Sequence, residues 1–135
     1  METVEKYAGA QTQLANAKTE WNVANLQVTT LSSTVTYLEE LVATTRSAMD
    51  QFNSSQDDKG NAIVDRFEES GLKGEEVDQI ISTINGLTAV GTAEEMMAYM
   101  EPQLQTFEAK LATSKDDLSA AKTDLAEKKA MHLFL

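Results

Sequence analysis

Residues 7–52 read YAGAQTQLANAKTEWNVANLQVTTLSSTVTYLEELVATTRSAMDQF. Steps of seven from Tyr7 meet Leu14, Trp21, Val28, Val35, Val42 and Met49. Three residues after each of these stand Ala10, Ala17, Ala24, Leu31, Leu38, Thr45 and Phe52. Thirteen of these fourteen positions are apolar and only Thr45 is not. A seam sustained over so many heptads predicts a helix over about residues 3–52 with a narrow apolar stripe. No proline and only Gly9 interrupts it.

The last third of the chain repeats the pattern. Met97, Leu104, Leu111, Leu118 and Leu125 step by sevens, flanked by Met100, Phe107, Ser114 and Ala121. Thr92 followed by Glu95 reads as a capping box and predicts a helix start near Ala93, running to about 133. Pro102 lies inside this stretch, so either a kink or a restart is expected there.

Between the two seams the heptads stop. Residues 53–60 are a loop by composition. Asn61 is then read as the cap of a short helix over 62–70 that ends at Gly71. A second short helix is expected over 75–85, ending at Gly86, with Val77, Ile80, Ile81 and Ile84 on its apolar face. The expected fold class is all-α: a long antiparallel helical hairpin, or coiled coil, with a small helical head over 53–91, all within a single domain over 1–135. Its seam would be Leu14, Val28, Leu31, Val35, Leu38 and Val42 against Leu104, Phe107, Leu111, Leu118 and Leu125. Each helix pairing with copies in other chains is the competing arrangement.

Composition removes several functional classes. With 22 acidic against 11 basic residues, the net charge of -11 leaves no basic surface for nucleic acid. No run of about 18 apolar residues exists to span a membrane, and the first residues show no Sec-type signal. Cysteine is absent, and with it thiolate chemistry. His132 is the sole histidine and has no second ligand or base near it in sequence. Neither a nucleophile elbow nor a phosphate-binding glycine loop occurs. Asp57-Asp58-Lys59-Gly60-Asn61 fails the calcium-loop spacing, because Arg66 falls where the bidentate Glu belongs. Met96, Met97 and Met100 sit at helical spacing as packing residues rather than ligands. The reading is therefore no enzyme, no cofactor and no metal.

Two features point instead to association. Residues 47–101 carry twelve acids and three bases, so the head holds nearly all the excess charge. This is either a solvated tip or a surface for a basic partner. From Trp21 to Leu38, by contrast, there is no charged residue. Val23, Leu26, Thr30, Ser33 and Tyr37 recur at helical spacing opposite the seam, a second face fit for burial. A plain exposed polar helix is the simpler alternative. The tail Leu133-Phe134-Leu135 is apolar where chain ends are usually polar, so it either folds onto the hairpin core or inserts between subunits. Trp21, Val23, Leu26, Thr30, Tyr37, Leu133, Phe134 and Leu135 are thus the expected intersubunit residues.

The expected function is a non-enzymatic structural subunit that binds copies of itself, or another subunit of the same assembly, in a particle or filament. Phage or virus components and signal-less secreted filament or tip subunits share this architecture, by analogy of shape alone. A virion or secreted assembly is accordingly favoured over a free cytoplasmic protein. The alternative is an adaptor, chaperone or scaffolding module whose acidic head engages a basic partner.

Overall fold

The computed structural model describes residues 2–55 and 60–134, with side chains from Ala8 onward. Among them are four helices and no strand: α1 (Glu2–Ser54), α2 (Asn61–Ser70), α3 (Glu75–Val90) and α4 (Ala93–Phe134). The chain is all-α, and its two long helices pack antiparallel. It divides into two compact units. A paired-helix unit joins α1 up to Val35 to α4 from Ala112 onward, and a four-helix unit lies within 36–111.

In the paired-helix unit the seam is built largely of alanine. Ala17, Ala24 and Val35 are buried from α1 and Ala121 from α4. Val28, Leu31, Leu118 and Leu125 are half-buried beside them. Small seam residues let helix axes approach closely but remove little apolar area from water. The antiparallel register shows in two contacts. Lys128 Nζ lies 3.8 Å from Glu20 Oε2, and the rings of Trp21 and His132 stand 4.9 Å apart. Leu14, expected in the seam, is exposed. It lies two turns of α1 before Trp21, which already meets the last turn of α4. The side chain of Tyr7 lies outside the described residues.

The four-helix unit holds the substantial core. Leu38, Leu41, Val42, Met49 and Phe52 of α1 meet Ile63 and Phe67 of α2, Val77, Ile80 and Ile84 of α3, and Met96, Met100 and Phe107 of α4. Leu104 and Leu111 are half-buried against this cluster. Because α2 and α3 cover a second side of α1, burial there widens beyond the seam to Leu41, Thr44 and Ala48. Thr45, the one polar seam position, is fully buried, and its hydroxyl donates to the Leu41 carbonyl at 2.7 Å. The seam therefore continues without leaving an unsatisfied polar group. The compact unit exceeds the 53–91 head read from composition because the ends of both long helices belong to its core.

The local signals resolve unevenly. Thr92 Oγ1 accepts the Glu95 N–H at 3.2 Å, as the capping box requires, and α4 starts at Ala93. Gly71 closes α2 in the left-handed region, its N–H donating to Glu68 O. Asn61 is not the cap of α2. Gly60 holds that position at φ 94°, and its carbonyl accepts the Ile63 and Val64 N–H groups. Asn53 and Ser54, read as loop, complete α1, whereas Gln56, Asp57, Asp58 and Lys59 lie outside the described residues. Nor does α3 stop at Gly86: it runs to Val90, because Ile84 and Leu87 continue its packed face and Gly91 supplies the stop. Helix α4 passes through Pro102 without restarting, which leaves the Ala98 carbonyl without its usual donor four residues on.

One polar contact ties α1 to the start of α3. The Tyr37 hydroxyl donates to Glu76 Oε2 at 3.1 Å. Gly74 permits it, since a Cβ there would overlap that hydroxyl. Burial, then the adjacent Glu76 carboxylate, push the phenol up to about 12 from its ordinary 10. A raised folded pKa means that this proton stabilises the fold below pH 10, and that the contribution is lost as pH climbs through 12. Tyr37→Phe should therefore flatten the decline in urea midpoint between pH 9.5 and 11.5 and cost about 1 kcal/mol at neutral pH. An unchanged alkaline decline would show that Glu76 does not hold the phenol.

Candidate functional site

The face of α1 opposite its seam is where the sequence places an association surface. Within the paired-helix unit Val23 is 60 % exposed and Leu26 67 %, with Thr30 and Ser33 exposed one and two turns further on. No charged side chain of α1 interrupts the stretch 21–38. Two of its threonines bond back to the preceding turn. Thr29 Oγ1 donates to Asn25 O at 3.0 Å and Thr34 Oγ1 to Thr30 O at 3.1 Å. The same back-bonding recurs at Thr12 and Thr19. A hydroxyl satisfied by the preceding turn can be covered without needing a donor or acceptor from whatever covers it. This accounts for threonine in a helix where propensity alone disfavours it.

The other expected interface residues are placed differently. Trp21 is half-buried, its ring tilted 42° against His132, and so serves the pairing of α1 with α4. His132 Nδ1 is enclosed there without a hydrogen-bond partner. Tyr37 is engaged by Glu76 and packs on the four-helix core. Leu133 and Phe134, with Met131, are exposed on the last turn of α4, while Leu135 lies outside the described residues.

A second feature went unread in the sequence. In the four-helix unit a cleft of about 650 Å³ opens where α1 and α3 end and α4 begins. Phe52, Met96 and Met97 give it apolar walls, and Asn53, Thr88 and Glu94 add polar groups. Val90 stands on it 88 % exposed. Ending α3 at Gly86 had dissolved residues 87–90 into a loop and hidden this convergence. The signal that could have revealed it is Val90 itself, a β-branched apolar residue directly before the Gly91-Thr92 stop and cap.

Acidic and basic residues partition between the units more sharply than along the sequence. Fifteen acids and five bases lie in residues 36–111, against seven and six in the remainder. The cross-helix ion pair of Arg46 Nη2 with Glu108 Oε1, at 3.2 Å, is exposed and adds little stability. Among the described residues no cluster of three His, Asp or Glu side chains is arranged to hold a metal ion. No helix among them is long and apolar enough to cross a membrane. No family model, no curated protein and no solved structure matches this chain.

Proposed function

We propose that the chain is a non-enzymatic structural subunit that associates with copies of itself, through helix faces, into a larger particle or filament. The observation that carries this reading is the imbalance of the paired-helix unit. It buries chiefly alanines between its own helices, yet presents Val23 and Leu26 on an uncharged outer face. Two helices sharing so small a core are marginal alone, because burial must offset the ordering of every residue in them. Covering the outer face with a second subunit supplies the missing apolar area. Thr29 and Thr34, beside that face, have their hydroxyls bonded within the helix and add no unmet donor when it is covered.

Leu26→Lys tests it. The side chain is exposed within one chain, so helix content by circular dichroism should stay the same. The associated mass, by light scattering after size exclusion, should fall because an unpaired ammonium would be buried in the contact; association should weaken at least tenfold. Assembly as in the native chain would remove this face from consideration. Association that vanishes in high salt, in place of persisting, would count against the uncharged Leu26 face and favour a contact made through charge.

A further inference from the structure

We propose that the cleft between the ends of α1 and α3 receives the last turn of α4 from a second copy of this chain. The inference rests on the self-association reading above and names a contact distinct from the Leu26 face. On the receiving side, neither α1 nor α3 carries a basic residue in its last turn. The carbonyl ends of both helices present their negative dipole ends to the cleft and the start of α4 its positive end, where Glu94 adds a carboxylate. In each helix one terminal carbonyl already accepts a backbone N–H, Ser55 to Phe52 and Gly91 to Leu87. Apolar walls beneath, and Val90 standing out beside them, leave room for large side chains in a volume within the usual ligand-pocket range of about 300–1,000 Å³.

The inserting side has the opposite character. Residues 128–134 read Lys-Lys-Ala-Met-His-Leu-Phe, with no acid among them. Phe134 is 89 % exposed, and Leu133 and Met131 are exposed with it. Lys129 projects to solvent, and Lys128 is held 3.8 Å from Glu20. A basic, apolar helix end thus faces an apolar cleft bordered by the Glu94 carboxylate, in a unit with fifteen acids against five bases. Cleft and helix end are different surfaces of the chain, so the contact is heterologous. Such a contact repeats from copy to copy and yields a ring or an open filament. Being partly ionic, it weakens as salt rises, whereas the uncharged Leu26 face does not.

The test uses two full-length variants at exposed positions, Val90→Arg in the cleft and Phe134→Asp on the helix end, each made in the Leu26→Lys background. Each alone should lose the residual salt-sensitive association of the Leu26→Lys chain. Mixed, they should form a 1:1 dimer that grows no further, because one supplies the intact helix end and the other the intact cleft. A fluorescent peptide of residues 124–135 should bind the native chain and lose at least tenfold in affinity for Val90→Arg. Variants that associate unchanged, or a mixture that stays monomeric with a peptide indifferent to Val90→Arg, overturn the head-to-tail contact and leave the Leu26 face standing. A native chain that is monomeric at all concentrations overturns self-association itself.

Discussion

Phe67→Ala should destabilise the four-helix unit by roughly 3–5 kcal/mol. Phe67 is only 1 % exposed and sits on α2, a helix of ten residues that cannot persist without tertiary contacts. Removing the ring deletes its transfer free energy and opens a cavity beside Ile63, Ile80 and Met100, fully buried side chains of the same core. Residual α2 contacts through Arg66, whose Nε donates to Ser47 Oγ at 3.1 Å, are too exposed to compensate. Urea unfolding followed by circular dichroism should show the loss as an earlier midpoint. A shift under 1 kcal/mol would mean that α2 is not packed in the core.

Gly60→Ala should also cost a large amount, roughly 2–6 kcal/mol, from two separable sources. The residue has φ 94°, where a Cβ strains the backbone by about 1–3 kcal/mol. That Cβ would also stand 2.8 Å from Ile84 Cγ2 and 3.0 Å from Met96 Sδ, overpacking a closed core by about 1–3 kcal/mol. Gly71→Ala provides the control. It has positive φ too, but nothing lies within 4 Å of the added carbon, so only the backbone share should appear. Equal losses at the two glycines would show that α3 and α4 do not close over Gly60.

Most of the architecture was legible because long heptad seams are a redundant signal: a single polar residue such as Thr45 does not obscure fourteen positions. The short elements were harder, and for local reasons. Gly86 looked like a stop, yet a glycine is tolerated in a helix whose other face is held by Ile84 and Leu87. Asn61 looked like a cap, but the position before it is a glycine whose backbone alone turns the chain. Of the expected contact residues, Trp21 and Tyr37 prove to be committed within the chain. A single sequence cannot distinguish an aromatic that packs on its own partner helix from one that awaits another subunit. Val23 and Leu26, in the uncharged stretch 21–38, are by contrast exposed within the chain. The cleft was not, because it exists only where three helix ends converge.

Pro102 has a consequence for how the molecule comes apart. A proline inside a helix costs about 3 kcal/mol, and here continuity is maintained beside Met96 and Met100, which the core encloses on the preceding turns. The nine residues before it are therefore helical on condition that the core is closed. In hydrogen exchange, amides 94–101 should open together with those of α2 and α3, as one cooperative element. Amides of α4 beyond residue 112 belong to the other compact unit and should keep a protection of their own. The proline is thus a preset breaking point, at which α4 can lose its leading turns without unravelling along its whole length.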